Sequence, residues 1–359
     1  LFPFQFKPLV KFLENPTHSL LIADEVGLGK TIEAGYIHRE WKLRHTVDNV
    51  LIVVPARLRT KWRDEMAHRF DERFEIAGAK EVLRTLSVVR SGRDPDPFQW
   101  VCSYESLRRR DVIDGLREAS PPLDLVILDE AHRVRNRETL HHQLARALCD
   151  SAQAKLFLSA TPLQTGLDNL HALLDLLEPG AFGSAQDFPA FIEANRPVVR
   201  ATAFAGLGRF EDAAQALEPL LHHRELGPAV GELLAELQGA EPTRTSRVRL
   251  QAAIGDLSLT GHTITRTRKV EVMEERPLRT AQTVHVELTE PEWGVYRAVE
   301  EFTRLLYGDG GWGQRMAALT AYRYTASCIP AAIEYMRARL EANGKLDAVD
   351  EVDADFADE

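Results

Sequence analysis

Residues 19–31 read SLLIADEVGLGKT, and this stretch decides the fold of the chain. The apolar run from Ser19 to Ala23 stops at an acidic pair, passes two glycines and opens a helical pattern at Lys30. This order predicts a buried strand, a glycine-bearing loop and a helix. Such a turn suits a phosphate group, because backbone N–H groups converge there and a helix N-terminus favours negative charge.

The residues after the glycines strengthen the phosphate-binding interpretation. Lys30 would reach the β- and γ-phosphates of a nucleotide, and the Thr31 hydroxyl would ligate Mg²⁺. However, the strict pattern G-x-x-x-x-G-K-[ST] is not met, because Asp24 stands at its first glycine position. Alone, the string GLGKT is also compatible with an ordinary glycine-rich turn before a surface helix.

A second signal lies at residues 123–132, LDLVILDEAH. A buried strand is predicted to end in Asp129 and Glu130, and adjacent carboxylates in such a place are costly unless they bind something. Asp129 is placed to hold Mg²⁺ through water, and Glu130 to orient or deprotonate an attacking water. The position of the pair, roughly 100 residues after a phosphate loop, favours this role over a structural one.

Further apolar runs complete the predicted fold. The segments NVLIVVP (49–55), FQWVCSYESL (98–107) and KLFLSATPLQ (155–164) predict strands, and helical patterns separate them. This alternation predicts an α/β, doubly wound parallel sheet with ligands at the carboxyl ends of its strands. Ser159 and Thr161 follow the last of these strands, where small hydroxyl residues also occur in plain strand-to-helix turns.

Basic residues follow two of the predicted strands. Arg57, Arg59 and Lys61 come after the strand at 50–54, and Arg108 and Arg109 come after the strand at 98–103. Most such runs are solvated helix faces. The alternative is an edge that contacts nucleic-acid phosphates.

Composition bounds the class of protein. The 359 residues are 44% hydrophobic and 27% charged, which is typical of one large or two modest globular domains. No apolar run approaches the roughly 18 residues of a membrane span, and three dispersed cysteines indicate a reducing compartment, so a cytoplasmic protein is expected. The net charge of −10 says little about DNA binding, since residues 341–359 hold eight acids against one base.

Taken in order, these motifs resemble lobe 1 of the Swi/Snf-type ATPases of helicase superfamily two, closest in form to the bacterial RapA-like branch. The ordered set is LFPFQ, DEVGLGKT, VVPARLRTKW, YESL, DEAHRVRN, SATPLQTGLDNLHALLDLLEPGAFGS and ITRTRKVEV. The resemblance implies a RecA-like lobe that binds ATP and Mg²⁺, and a DNA-dependent ATPase that translocates on double-stranded DNA and remodels protein–DNA complexes. The family's first motif tolerates a residue other than glycine at the position of Asp24.

The resemblance also implies roles for single residues. Gln5 contacts adenine, and Asp129 and Glu130 serve the metal and the water. Ser159 and Thr161, with His132 of the DEAH form, couple the nucleotide state to lobe movement. The phosphate and Mg²⁺ are bound by the loop residues Asp24, Glu25, Gly27, Leu28, Gly29, Lys30 and Thr31. The pairs His141-His142 and His222-His223 lack further ligands, so no metal besides Mg²⁺ is expected.

The domain layout follows from the same resemblance and from changes in pattern. Residues 1–190 form lobe 1, residues 191–262 form a helical insertion, and residues 263–345 return to lobe 1 and lead toward a second lobe. The stretch QTVHVELT (282–289) alternates like a strand. The acidic tail at 346–359 is expected to be disordered.

The function implied by the resemblance has alternatives. No second strand-helix series or arginine-finger motif follows residue 345, so the closing arginines are expected from a second lobe, in the same natural chain or in a partner. A protein partner at the insertion is also expected, and no membrane. A strand-separating DEAH-type helicase shares the chemistry of lobe 1. A nucleotide-gated scaffold in a bacterial defence or transcription complex is the non-enzymatic alternative.

Overall fold

The computed structural model describes residues 2–160, 166–223, 226–258, 260–267, 269, 287–307 and 312–342. Contacts divide the chain into two units, Leu1–Arg276 and Pro277–Glu359. None of the described helices combines the length and the apolar character that crossing a membrane requires.

One sheet organises the first unit. Its strands, within the described ranges, are β1 (Ser19–Ile22), β2 (Asn49–Val54), β3 (Glu75–Ile76), β4 (Phe98–Ser103), β5 (Leu123–Asp129), β6 (Ala152–Leu158) and β7 (Ile264–Thr265). Their order across the sheet is β3-β4-β2-β5-β6-β1-β7, and every neighbouring pair runs parallel. This is the α/β parallel sheet that the alternation of apolar runs predicts, so the predicted fold class is confirmed.

Helices connect the strands and continue beyond them. In the described part of the first unit they include α1 (Lys7–Glu14), α2 (Lys30–Arg44), α3 (Arg59–Phe70), α4 (Ala79–Arg90), α5 (Tyr104–Leu107), α6 (Arg110–Ala119), α7 (Leu140–Asp150), α8 (Leu167–Leu177), α9 (Phe188–Gly206), α10 (Phe210–Leu217), α11 (Gly227–Gly239) and α12 (Arg244–Asp256). In the second unit they are α13 (Glu290–Tyr307), α14 (Trp312–Ser327) and α15 (Ile329–Ala342).

Both faces of the sheet are covered by helices. In β2, Val50 and Ile52 pack into the apolar cluster formed with α1, α2 and α3, while Leu51 and Val53 pack into the cluster on the opposite face. The pleat of a strand alternates its side chains in this way. A strand buried on both faces therefore needs a continuous apolar run, which the sequence supplies at 50–54.

The strand register brings the predicted site loops to one edge. Asp129 at the end of β5 stands level with Leu158 of β6, and Leu158 with Ile22 of β1. On the other side of β5, Val54 of β2 stands level with Ser103 of β4. Because all strands are parallel, the loops that follow these five strands lie along the same edge of the sheet.

A helical segment with its own apolar cluster interrupts the sheet between α8 and β7. Helix α9 packs against α10 and α12, and buried side chains such as Val198, Phe210, Leu217 and Ile254 fill the interior. The boundaries 191–262, expected for an insertion, remain a prediction.

The two stems of this segment meet in one partly buried hydrogen-bond network. Asn15, just after α1, donates from Nδ2 to Glu178 Oε1 at 2.9 Å and to the carbonyl oxygen of His262 at 3.1 Å. His262 Nε2 lies 3.2 Å from Glu178 Oε2, and Thr17 Oγ1 donates to Glu178 Oε1 at 2.7 Å. The segment thus leaves and rejoins the sheet at one place beside the start of β1.

The second unit is mainly helical where it is described. Val299 and Phe302 of α13 pack with Ala321 of α14 and with Ala332 and Met336 of α15. The strand expected at 282–289 falls largely outside the described residues, and residues 287–289 adopt no regular structure. Thr161 and the acidic tail also lie outside the described ranges.

Candidate functional site

The loop between β1 and α2 has the backbone geometry of an anion-binding turn. Gly27 and Gly29 adopt φ angles of 88° and 100°, a region that L side chains rarely enter. Gly29 is the N-cap of α2 and has no side-chain cap, so the first N–H groups of the helix are left for another acceptor. The φ angle of Gly29 favours glycine, and a Cβ atom there would lie 2.7 Å from Gln5 Nε2, so a larger residue would also displace the Gln5 side chain.

Asp24 occupies the loop position where the strict motif has glycine, and the structure shows why glycine is not needed. Asp24 has no positive φ angle and is fully buried. Its Oδ1 accepts the Thr267 N–H at 2.8 Å. Ala23 N donates to Thr265 O at 2.7 Å and Glu25 N to Thr267 O at 3.2 Å, so the pairing of β1 with β7 continues into the loop.

Lys30 points back along the loop toward the acidic end of β5. Its Nζ donates to the Asp24 carbonyl oxygen at 2.8 Å. Burial lowers the pKa of Lys30, and the nearby carboxyls of Asp129 and Glu130 act in the opposite direction. The Lys30 side chain is thus within electrostatic range of the acidic pair.

Glu33 is an unforeseen buried acid in the first turn of α2. Glu33 is fully buried, and within the described part of the chain neither oxygen of its ionised carboxylate accepts a hydrogen bond. Burial, and then the neighbouring Asp24 carboxyl, raise the pKa of Glu33 to about 9. The buried pair of Asp24 and Glu33 thus favours the protonated form of Glu33.

The two acids at the end of β5 differ in environment. Asp129 Oδ2 accepts the Trp62 indole N–H and Oδ1 accepts the Glu130 N–H, both at 2.8 Å. Burial raises the pKa of Asp129 despite these two bonds. Glu130 is about one-third exposed, and the adjacent His132 side chain, whose Nδ1 lies 3.2 Å from Glu130 Oε2, is the main cause that lowers the pKa of Glu130.

The backbone of Glu130 lies in the left-handed region, at φ 51°. A residue other than glycine in this conformation stores strain, which surrounding contacts must hold. The conformation turns the chain sharply after β5, so that consecutive residues present one fixed and one solvent-facing carboxylate. This division suits a metal ligand and a water-activating group.

Ser159 closes the site on the side of β6. The residue is buried, and its N–H donates to Ile22 O at 3.0 Å, which holds the end of β6 against β1. The geometry of its predicted partner Thr161 lies outside the described residues, so the coupling role of this loop remains a prediction.

Gln5 lies against the phosphate loop from the N-terminal side. Its Nε2 donates to Leu28 O at 3.0 Å, and its Oε1 accepts the Phe2 N–H at 3.2 Å. The Nε2 group can still donate one hydrogen bond, and Oε1 can still accept one. The predicted adenine contact is compatible with this geometry and remains a prediction.

The predicted DNA contacts lie beside this site, after β2 and β4. Arg57, Lys61 and Arg108 are exposed, and Arg59 is half-buried. The side chain of Arg109 makes an ion pair with Asp111 at 2.6 Å, which would have to open for a phosphate contact.

One acid joins the basic loops. Glu105 Oε2 accepts the Ala56 N–H at 3.1 Å, and Glu105 Oε1 accepts from Arg133 Nη1 at 3.1 Å. The loops after β2, β4 and β5 are therefore tied together at this carboxylate.

Several of these residues escaped the sequence prediction. Glu33, Trp62, Tyr104, Glu105 and Thr267 are set by contacts between distant segments, with 67 residues separating Trp62 from Asp129 and 243 separating Thr267 from Asp24. The available signals were an acid in the first turn of a helix and a tryptophan on the buried face of α3.

These residues fit a nucleotide with Mg²⁺. An uncapped helix N-terminus, two glycines at positive φ and a lysine suit phosphate oxygens, and the Thr31 hydroxyl and Asp129 carboxylate are hard oxygen ligands of the kind Mg²⁺ takes. The fold and the site together define a nucleotide-binding α/β lobe of the phosphate-loop class.

Comparison with known proteins places this lobe in one family. Residues 6–323 match the SNF2-related domain, so the chain belongs to that family of ATPases, as the ordered motifs predict. It is similar to the RNA polymerase-associated protein RapA of Cronobacter sakazakii, with 32% identity over 240 residues, which cover 64% of this chain and 24% of RapA. The aligned part thus spans about a quarter of the length of that relative.

Two solved structures are also similar at 17% identity. They are the Sulfolobus solfataricus SWI2/SNF2 ATPase core in complex with double-stranded DNA, with a TM-score of 0.46, and the same core domain alone, with a TM-score of 0.47. Each likeness covers 90% of this chain, and 58% and 56% of the respective Sulfolobus chains.

Proposed function

We propose that this chain is the N-terminal, ATP-binding lobe of a DNA-dependent ATPase that translocates on double-stranded DNA and remodels protein–DNA complexes. One observation carries the proposal. Lys30, after β1, lies within electrostatic range of Asp129 and Glu130 at the end of β5, one strand further along the sheet than β6, and basic residues follow β2 and β4 along the same edge.

The proposed roles follow from the environment of each residue. The loop from Asp24 to Thr31 and the N-terminus of α2 bind the phosphates, with Lys30 neutralising their charge. Thr31 and the fixed Asp129 hold Mg²⁺, which supplies charge neutralisation and orientation at the phosphates when bound. Gln5 reads the adenine edge.

Glu130 is the proposed water-orienting group. Its side chain is partly exposed, and the contact with His132 favours the carboxylate, the form that can accept a proton from water. His132, Ser159 and Thr161 are proposed to couple the nucleotide state to the movement of a second lobe. Arginines from that lobe would stabilise the charge of the transition state.

DNA contact is proposed to run through backbone phosphates and to be insensitive to sequence. Arg57, Arg59, Lys61, Arg108 and Arg109 are the candidates. Their support is position and exposure, which is weakest for Arg109 because of its ion pair with Asp111.

The remaining architecture is proposed from the resemblance. Residues 1–190 form the ATP-binding lobe, 191–262 a helical insertion that receives a protein partner, 263–345 the return and the link to a second lobe, and 346–359 a disordered acidic tail. A cytoplasmic location is part of the same proposal.

The test is ATP turnover by the full-length natural protein, with and without double-stranded DNA, beside a Glu130→Gln variant. DNA-stimulated turnover that depends on Glu130 supports the proposal, and turnover indifferent to DNA refutes it. A forked duplex added to the same assay separates translocation from unwinding, because displacement of a strand would indicate a helicase.

A further inference from the structure

The carboxylate of Asp129 is held by a side chain from helix α3. Trp62 is 2% exposed, and its indole Nε1 donates to Asp129 Oδ2 at 2.8 Å. Its ring is packed in the apolar cluster between α1, α2, α3 and the sheet. An indole has a single N–H donor on a rigid ring, so the packed ring fixes where the Asp129 oxygen lies.

The same helix begins with two of the basic residues proposed to meet DNA. Arg59 is the first residue of α3 and Lys61 the third, and Trp62 follows directly. Lys61 is exposed while Trp62 is buried, so neighbouring residues of one helical turn face solvent and Asp129 respectively. A displacement of this first turn would change the 2.8 Å bond to Asp129.

The main chain of Asp129 is held by Tyr104, which precedes the second group of basic residues, Arg108 and Arg109. Tyr104 is fully buried, and its hydroxyl donates to the Asp129 carbonyl oxygen at 2.8 Å. Tyr104 begins the single-turn helix α5, and Arg108 and Arg109 follow that turn. Both anchors of Asp129 therefore come from segments that carry candidate DNA contacts.

Glu105 connects the segment that begins α3 with the segment that follows β4. It follows Tyr104, accepts the N–H of Ala56 in the turn that leads into α3, and accepts from Arg133 three residues after Glu130. A shift of either basic segment is thereby transmitted to the other and to the loop that carries Glu130.

We propose that Trp62 is a positioning residue for Asp129, and that Trp62, Tyr104 and Glu105 pass DNA engagement of the basic segments to the acidic end of β5. This inference rests on the proposed function, since it takes Asp129 as the Mg²⁺ ligand and the basic segments as the DNA contact. Groups that orient a metal ligand typically change metal affinity or activity about 10- to 100-fold when removed.

The experiment compares Trp62→Phe with Trp41→Phe in the full-length protein. Trp41 is a matched control because it is 3% exposed, lies in the same apolar cluster, and has no hydrogen-bond partner for Nε1 among the described groups. Two quantities are measured for each variant. They are the Mg²⁺ concentration that half-saturates tight binding of a fluorescent non-hydrolysable ATP analogue, and the DNA stimulation of ATP turnover.

Trp62→Phe is expected to raise the half-saturating Mg²⁺ concentration about tenfold and to reduce DNA stimulation by a similar factor, with DNA affinity within about twofold of the wild type. Trp41→Phe is expected to change neither quantity by more than about twofold. Equal effects of the two variants would overturn the positioning role, because a purely structural role of a buried indole predicts equal effects.

Tyr104→Phe keeps the inference testable if Trp62→Phe fails to fold. It removes one hydroxyl and is expected to raise the half-saturating Mg²⁺ concentration about threefold, consistent with the loss of one neutral hydrogen bond. No change would remove Tyr104 from the proposal. If ATP turnover by the wild-type protein does not respond to DNA, the proposed function is refuted. The Mg²⁺ measurement would still decide whether Trp62 positions Asp129.

Discussion

The two halves of the sheet's carboxyl edge are built differently. In the half formed by β5, β6, β1 and β7, the functional groups are largely buried and fixed by short backbone contacts, as with Asp24 on Thr267 N and Lys30 on Asp24 O. In the half formed by β2 and β4, the candidate groups are long basic side chains, most of them exposed. The side chains of the first half have little conformational freedom, and those of the second half have much.

The difference matches the two kinds of ligand proposed for this edge, a nucleotide with its metal ion and a DNA duplex. A nucleotide's phosphates and a metal ion require donors fixed within a fraction of an ångström. A polyanionic duplex presents a repeating charge that solvated lysine and arginine side chains can follow without a fixed geometry. Substitutions in the first half should therefore act on chemistry and affinity in large steps, and those in the second half in small increments that depend on salt.

The largest step is expected from Glu130→Gln. If Glu130 has its proposed water-orienting role, loss of its carboxylate should lower ATP turnover about 10³-fold, the range of a general base. Nucleotide affinity should stay within about threefold of the wild type, because the bonds that fix Asp129 come from its neighbours' backbone and from Trp62. Turnover and binding of a fluorescent ATP analogue provide the check. A variant that hydrolyses ATP normally would remove Glu130 from the site.

Gly29→Ala tests how rigid the phosphate loop is. The added Cβ would lie 2.7 Å from Gln5 Nε2 at a φ angle of 100°, so the loop or Gln5 must move, and nucleotide affinity should fall at least about tenfold. Gly92→Ala is the matched control, since Gly92 also has a positive φ angle of 76° but nothing within 4 Å of the added atom. Both variants should lose about 1 kcal/mol of stability in thermal unfolding. Equal nucleotide affinities would contradict the rigid-loop account.

Charge reversal in the basic half should have a smaller effect. Arg57→Glu combined with Lys61→Glu is expected to reduce the slope of log DNA affinity against log salt by about 1 for each lost phosphate contact. Arg93→Glu is the control, because Arg93 is exposed in the loop that enters β4 at the opposite edge of the sheet, and it should leave the slope unchanged. An unaltered slope in the double variant would exclude Arg57 and Lys61 as DNA contacts.

The hydrogen-bond network around Glu178, at the opposite edge of the sheet, provides a comparison outside the candidate site. Lowering the pH is expected to reduce the stability of the protein through this network. Burial would raise the pKa of Glu178, but hydrogen bonds from His262, Asn15 and Thr17 outweigh it and lower the pKa to about 2. A lowered pKa contributes stability above the unfolded pKa of about 4.5, and that contribution is lost as pH falls toward 2. Denaturant unfolding at pH 5 and pH 3 should show a loss on the order of 2 kcal/mol that Glu178→Gln largely abolishes. An unchanged acid dependence in that variant would show that the network carries no such charge.

The sequence predicted the parallel sheet and the first half of the edge because their signals are local. The run Val50 to Val54 indicates a buried strand by itself, Asp129 directly follows another such run, and Lys30 follows a third after a short glycine-bearing loop. The two-residue strand β3 and helix α4 were not predicted. A strand of two exposed residues leaves no periodic signal, since only its pairing with Trp100 and Val101 defines it.

The buried acids and their partners were not predictable for another reason. Glu33 is an ordinary acid in the first turn of a helix until the fold places Asp24 beside it and removes water from both. The indole of Trp62 is an ordinary core group until β5 and α3 bring it to Asp129. These roles depend on contacts across dozens of residues, which no pattern within one segment records.

The network at the base of the helical segment has a consequence for how such a chain can change over time. Asn15 bonds to Glu178 on one stem and to the His262 carbonyl on the other, so the departing and returning chain stay together whatever lies between them. The entropy of closing a loop between fixed ends grows only with the logarithm of its length. Evolution could therefore lengthen, shorten or exchange the intervening helices without changing the register of β7 on β1. The hydrogen bond from Thr267 that holds Asp24 in the phosphate loop would also be kept.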